Sequence, residues 1–415
     1  MPIYLAKEAF SGGLNWLPEL PSLSKIIVVV ALVGTVALLK WYSSGTYNTA
    51  ERKMHGKVVM ITGGTSGIGA TVALELATRG AQLVLLTHQP PSDIFIAEYI
   101  EDMREKTGNE MIYAEQVNLA SLYNVRQFAT KWIDNAPPRR LDMIILCAAT
   151  ITPPGKPRVL TAEGLEENWA VNYLANFHLL SILSPAIRAQ PSDRDVRIIF
   201  TTCSSYIHAP PMDDGSMAMN KKEWTASDAY SRSKFALTIF GQAFQKHLDA
   251  YQRPDGLPSN ARVIFVDPGY SRTPGMRRWF SRGTLWGLAL YVVFWQTAWV
   301  FLKSAEEGAQ SVLYAAMEAT LGRGGGGKLI KECQEMGYAR ADVKDETVAK
   351  KLWEGSEKMV ERVEREEAVR RALLKKEKET SEKSKKPSEK APVKPEAVGS
   401  GTETKSTSRR QKKAK

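Results

Sequence analysis

Tyr230 and Lys234, within Tyr230-Ser231-Arg232-Ser233-Lys234, stand four residues apart, so on a helix they share one face a single turn from each other. A phenol of pKa near 10 exchanges protons poorly at neutral pH, and a neighbouring ammonium stabilises its phenolate. The pair is therefore suited to passing a proton to or from an oxygen atom. Far upstream, Thr62-Gly63-Gly64-Thr65-Ser66-Gly67-Ile68-Gly69 follows an apolar run at 58–61 and precedes the helical pattern of 70–77. That order reads as strand, glycine turn, helix. Glycines there permit a sharp turn, let backbone N–H groups approach a pyrophosphate, and bring up the positive end of the next helix.

These two motifs need a scaffold that holds them together across the intervening residues. From residue 57 to about 266 the chain alternates short apolar runs with helical patterns. The clearest strands are 58–61, 83–86, 143–146, 198–201 and 263–266, with helices over 67–79, 94–107, 121–135, 164–184 and 226–250. Such alternation predicts a parallel sheet with helices on both faces, in which ligands bind at the carboxyl ends of the strands. Each motif falls at such an end or on the helix that follows.

Glycines spaced Gly-x-x-x-Gly-x-Gly after Thr62, together with the Tyr-x-x-x-Lys pair, resemble the short-chain dehydrogenase/reductase family over residues 57–363. Within that family the chain is most similar to the membrane-anchored, retinol-dehydrogenase-like, lipid-active branch. The branch likeness rests on Ala170-Val171-Asn172-Tyr173 through Phe177-His178-Leu179-Leu180, on Ser304-Ala305-Glu306-Glu307-Gly308-Ala309-Gln310, and on Gly327-Lys328-Leu329 followed by Leu352-Trp353-Glu354.

The resemblance implies a Rossmann-type doubly wound parallel sheet and a nicotinamide cofactor. Tyr230 would donate the proton in reduction, and Lys234 would bind the nicotinamide ribose while lowering the tyrosine pKa. Asn172 would hold a water linking Lys234 to a proton relay. The serine that orients the substrate carbonyl has more than one candidate in Thr201-Thr202-Cys203-Ser204-Ser205. Spacing to Tyr230 favours Ser205, an ungapped count from Arg197 gives Cys203, and Ser204 or Ser205 is preferred because a thiol donates weakly. Cofactor contacts would come from Thr62, Gly63, Thr65, Ser66, Gly67, Ile68 and Gly69, then from Asn118 and Leu119 beside the adenine. Ala148 follows, and Pro268, Gly269 and Thr273 would hold the carboxamide. After the second strand, Leu85-Leu86-Thr87-His88-Gln89 lacks the acidic residue that would repel a 2′-phosphate, and His88 stands where relatives carry Arg. NADP is favoured over NAD. One departure is Leu146-Cys147-Ala148-Ala149, where the family reads Asn-Asn-Ala-Gly.

The formal charge of the 415 residues is +11, but from Lys375 to Lys415 there are 14 basic and 6 acidic residues, a net of +8 that leaves only +3 for the rest. A nearly neutral body argues against a nucleic-acid partner. Three widely spaced cysteines without Cys-x-x-Cys fit a reducing compartment and neither a disulfide framework nor a zinc site.

Residues 26–39 run uncharged between Lys25 and Lys40, and Leu23 with Trp41-Tyr42 extends them into an expected membrane anchor over 23–42, behind an N-terminal segment 1–22. Lys40, Arg52 and Lys53 outnumber Lys7 and Lys25, placing the catalytic domain, 52–365, on the cytosolic side. Residues 283–302 are uncharged and carry three tryptophans. The resemblance implies that this segment is the substrate lid, and it is expected to dip into the bilayer in preference to a purely soluble lid or a span. Residues 366–415 read as a helix end and a disordered basic tail. Its Lys412-Lys413-Ala414-Lys415 resembles the dilysine signal of the endoplasmic reticulum. Two functions are thus expected: a membrane-bound NADP-dependent oxidoreductase for a lipophilic alcohol or carbonyl, or a membrane-tethered scaffold on a degenerate dehydrogenase fold.

Overall fold

In the computed structural model, residues 23–212 and 224–385 are described. The 1–22 segment and the dilysine-like end lie outside them. The strands are β1 (Val58–Thr62), β2 (Gln82–Thr87), β3 (Ile112–Gln116), β4 (Met143–Leu146), β5 (Val196–Thr201), β6 (Ala261–Asp267), β7 (Lys328–Lys331) and β8 (Gln334–Met336). They form one sheet in the order β3-β2-β1-β4-β5-β6-β7-β8, parallel throughout except for the β7–β8 hairpin. The chain order reverses between β1 and β4, which opens a crevice at the carboxyl ends. Register sets Thr62 opposite Leu146 and Leu146 opposite Phe200, so the glycine loop, the Cys147 turn and the Thr201–Ser205 turn leave the sheet side by side.

The five expected strands are the central ones, where burial on both faces selects near-continuous apolar runs. β3, β7 and β8 lack that signal. β3 is an outermost strand, Ile112-Tyr113-Ala114-Glu115-Gln116, with only Ile112 buried, and β7 and β8 make the opposite edge with lysine or exposed residues. Edge strands carry charge and stay short because a long apolar edge invites pairing with other chains.

The helices are α1 (Leu23–Ser44), α2 (Gly67–Thr78), α3 (Ile94–Thr107), α4 (Leu122–Ile133), α5 (Glu167–Arg188), α6 (Ala226–Asp249), α7 (Pro274–Phe280), α8 (Leu285–Val293), α9 (Trp295–Phe301), α10 (Ala305–Met317) and α11 (Glu346–Lys385). One face of the sheet packs against α2, α3 and α10 through Leu76, Ile100 and Val312; the other packs against α4, α5 and α6 through Trp132, Phe177 and Phe240. The start of α11 closes the second face with Leu352 and Trp353, whose ring meets Phe177 edge-on at 5.5 Å. The chain divides into two compact units, one ending at Glu367 and one beginning at Ala368. In the second, Val369, Leu373 and Leu374 are exposed on the continuing helix.

α1 is long enough, at 22 residues and about 1.5 Å per residue, to cross a hydrocarbon layer of about 30 Å. Its window 27–44 has a mean hydropathy of 1.8 and none of it is buried. Its last turn is fastened to the domain: Lys40 Nζ pairs with Glu307 Oε2 at 3.0 Å, and Ser43 Oγ donates to the Val300 carbonyl. Residues 283–302 form no continuous helix. They break at Phe294 into α8 and α9, and nine residues of α8 reach only about 13 Å, too short for a span.

Candidate active site

The glycine loop is dictated by sterics. Gly63 has φ +69°, and a Cβ there would lie 2.8 Å from the Ala148 backbone. A Cβ on Gly69 would sit 2.2 Å from the Gly63 carbonyl oxygen, an overlap no side-chain movement can relieve. Gly67, at φ +55°, abuts Thr273, so the loop after β1 and the loop after β6 share one wall of the crevice. Thr62 ties in the third loop: its carbonyl accepts from Cys147 N and its Oγ1 from Ala148 N, each at 3.2 Å. Ser66 is the N-cap of α2 yet makes no side-chain cap bond, which keeps the first-turn N–H groups for an anionic ligand. Thr65, Gly67 and Ile68 are partly accessible around this cradle. Its shape, its helix end and its N–H donors fit the pyrophosphate of a dinucleotide.

At the end of β5 the structure separates the three candidates for orienting a carbonyl. Cys203 Sγ lies 3.7 Å from Tyr230 Oη, and Ser205 Oγ lies 2.7 Å from the sulfur. Ser204 is turned elsewhere: its hydroxyl donates to Asp267 Oδ2 and accepts from Lys331 Nζ at 3.0 Å. Asp267, directly before Pro268-Gly269, also accepts from Gly269 N at 3.0 Å. Asp267 therefore clamps the β6 loop to the Ser204 turn. Sequence reading passed over Asp267 and Lys331, although a carboxylate at a strand end beside Pro-Gly is a visible signal.

Tyr230 and Lys234 do share a face of α6, and Nζ lies 5.9 Å from the tyrosine ring centre. Lys234 is 3% exposed and donates to the Thr201 carbonyl at 3.0 Å. Burial pushes the Tyr230 phenol well above its ordinary value, with Cys203 adding to the rise, and burial lowers Lys234. Desolvation is the largest cause at both groups, because each loses its charged form's hydration on burial. Burial likewise raises the Cys147 thiol to about 12, against a smaller opposing effect of Lys234.

Asn172 sits in a π-turn, Ala170–Leu174, within α5. Its side chain clasps Thr150, accepting from N at 2.7 Å and donating to O at 2.9 Å, and it also donates to Ser233 at 3.0 Å. The Asn172 backbone carbonyl accepts from Asn176 Nδ2 at 2.9 Å. After β3, Asn118 Oδ1 accepts from Ala120 N at 2.9 Å and Leu119 is half-buried. His88 is exposed at the end of β2.

A short chain dehydrogenase family model matches residues 57–282. The chain is a short-chain dehydrogenase. An uncharacterized oxidoreductase, pbr1, of Schizosaccharomyces pombe is 42% identical over 337 residues, covering 80% of this chain and 89% of that protein. Retinol dehydrogenase 13 of Mus musculus is 30% identical over 344 residues, covering 81% and 95%. This dehydrogenase thus belongs to the retinol-dehydrogenase-like branch. A crystal structure of an uncharacterized protein from Mycobacterium paratuberculosis shares the fold, with TM-score 0.54 at 22% identity over 76% of this chain and 98% of that one. Membership makes the dehydrogenase an oxidoreductase with a nicotinamide cofactor, for which the glycine cradle is the structural counterpart.

Proposed function

We propose that this dehydrogenase is anchored in the endoplasmic reticulum membrane, faces the cytosol, and uses NADP(H) to interconvert a lipophilic alcohol and its carbonyl. The observation that carries the reading is the apolar hairpin α8–α9. Leu285 is 85% and Trp286 83% exposed, and Val293, Phe294 and Phe301 are exposed with them. The hairpin adjoins the exposed helix α1 through Ser43 and through Lys40, which lies 5.7 Å from the centre of the Trp299 ring. It joins the cofactor side through Arg272, stacked on Trp295 at 5.1 Å, one residue before Thr273. Water disfavours so large an apolar surface, and a bilayer would cover it. A substrate that partitions into lipid would then arrive beside the crevice.

In the reduction direction Tyr230, kept neutral by burial, holds the proton that the carbonyl oxygen takes up. Cys203 faces the same point as the Tyr230 hydroxyl and orients the substrate oxygen, with Ser205 supporting the thiol. Lys234 and Asn172 bind and brace the ribose side. Bound nicotinamide supplies or accepts hydride at the carbonyl carbon. At the end of β2 His88 is exposed, and residues 85–89 carry no acidic group to repel a 2′-phosphate, which supports NADP.

A chain starting near Arg52 tests the membrane part. It is expected to associate with phosphatidylcholine liposomes peripherally, to resist release by high salt, and to become soluble when Trp286 and Trp295 are both changed to Ser. Full solubility of the truncated chain with those tryptophans intact would overturn the bilayer role of the hairpin. Following NADPH absorbance while retinoid-like and water-soluble aldehydes are supplied tests the chemistry; equal rates on both classes would overturn the lipophilic assignment.

A further inference from the structure

The turn between β7 and β8 consists of Glu332 and Cys333, because Lys331 pairs with Gln334 across the hairpin. Both residues have left-handed backbones, at φ +51° and +55°. A two-residue turn with positive φ at both positions is ordinarily built from Asn-Gly or Asp-Gly, whose side chains meet no clash there. Glutamate and cysteine do not adopt it freely, so contacts outside the turn must hold it. Those contacts are present. The Glu332 carboxylate forms an ion pair with Lys303 Nζ through Oε1, and its Oε2 accepts from Thr46 N at 3.1 Å. Cys333 Sγ donates to the Thr46 carbonyl at 3.5 Å. Gly45 packs directly on the ion pair, since a Cβ there would overlap the Glu332 carboxylate and lie 2.6 Å from Lys303 Nζ.

Lys303 joins this cluster to the catalytic crevice. It lies two residues after α9, is 7% exposed, and runs beside the loop that follows β6. Its N–H donates to the Tyr270 carbonyl at 3.0 Å and its carbonyl accepts from Arg272 N at 2.8 Å, a parallel bridge centred on Ser271. Its side chain lies along the same loop: a Cβ on Gly269 would be 3.4 Å from Lys303 Cε. From the other side, the first turn of α10 presses on Ser271, for a Cβ on Gly308 would overlap Ser271 Oγ and lie 3.2 Å from Ile68 Cδ1. One buried lysine thus holds residues 269–272 through backbone and stem together. Without its carboxylate, the ammonium would turn toward water and draw the stem away from Gly269.

We propose that Lys303 and Glu332 are positioning residues for the nicotinamide end of the cofactor, acting through the loop 268–273. The inference rests on the reading that Pro268, Gly269 and Thr273 hold the carboxamide, and it is independent of the membrane and of the substrate. Gly45 and Thr46, which leave α1, complete the seat of the Glu332 carboxylate.

The test is calorimetric titration of the full-length protein with NADPH and NADH, beside ADP-ribose and its 2′-phosphate, which carry the adenine and pyrophosphate without nicotinamide. Lys303→Met keeps the buried stem and removes the charge. It should weaken the tighter-binding dinucleotide about fivefold and leave the matching nicotinamide-free ligand unchanged. Glu332→Gln keeps an acceptor for Thr46 N and should weaken the same dinucleotide about threefold. Because the two residues act as one pair, the double variant should be no weaker than Lys303→Met alone. A general loosening of the fold would weaken both kinds of ligand alike. Equal weakening of both kinds, or of neither, by Lys303→Met and Glu332→Gln would overturn the positioning role. Thr273→Ala separates this from the underlying reading, and it should weaken the dinucleotide alone by about fivefold. No effect of Thr273→Ala would overturn the carboxamide role of the loop, whereas a selective effect there with none from Lys303→Met would keep that role and overturn the positioning pair.

Discussion

The ends of β1 and β5 lie two strands apart in one sheet and are built on opposite principles. At β1, backbone contact leaves no alternative: Gly63 and Gly69 are where a Cβ would collide with main-chain atoms of Ala148 and Gly63. At β5, Cys203, Ser204 and Ser205 could each offer a polar hydrogen, and the outcome is set from outside the segment. Asp267 and Lys331 engage Ser204, and the thiol is left facing Tyr230. A site made by exclusion is written in residue type and spacing. A site made by competition for partners is written in the partners.

The largest effect expected is at the point where the two ends cooperate. Tyr230→Phe keeps the ring and removes the proton, so kcat should fall by about 10³-fold, within the range for general acid catalysis, while cofactor affinity stays unchanged. Steady-state kinetics with cofactor titration checks both halves, and substantial turnover in the variant would remove Tyr230 from the mechanism. Next is the excluded end. Gly69→Ala forces backbone apart and should weaken cofactor binding by about a hundredfold, alongside a lower Tm. Unchanged binding would mean that the cradle tolerates what its geometry forbids.

The competitive end should respond more weakly and unequally. Cys203→Ala is expected to lower kcat about tenfold, less than loss of a stronger donor would, because a thiol donates weakly. Cys203→Ser should retain or exceed wild-type activity and remove inhibition by maleimide. Ser204→Ala should change kcat by less than about twofold, since its hydroxyl is spent on Asp267. A larger loss for Ser204→Ala than for Cys203→Ala, measured in parallel, would reverse the assignment of the carbonyl-orienting group.

The same distinction explains what could be read from the sequence. The five central strands, the glycine loop and the Tyr230–Lys234 pair were legible because burial on both faces and fixed helical spacing leave direct patterns. The edges β3, β7 and β8 were not, since their polar residues answer to solvent. The choice among Cys203, Ser204 and Ser205 depended on Asp267 and Lys331, both far away in sequence. Helical spacing shows that Lys234 is near Tyr230, whereas the desolvation that raises the phenol is a property of the assembled crevice. Apolar length misleads in the same way: 167–188 passes a hydropathy test much as 27–44 does, yet 72% of the first is buried in the core and none of the second.

A third case is the end of β2, which neither sterics nor competition defines. His88 is exposed there, and the backbone of the turn is held by Thr87 Oγ1 donating to the Gln89 carbonyl at 2.7 Å. An exposed charge acts through water, so His88→Asp should oppose a 2′-phosphate by only about 1 kcal/mol. That is roughly a fivefold shift of the NADP/NAD ratio of kcat/KM toward NAD, diminishing as salt is raised. The backbone brace at Thr87 is untouched by the change, so the NAD value itself should hardly move and the shift should come from weaker NADP binding. A ratio that does not change would place the 2′-phosphate away from His88, and an equal loss with both cofactors would mean that the substitution disturbed the turn and not the charge.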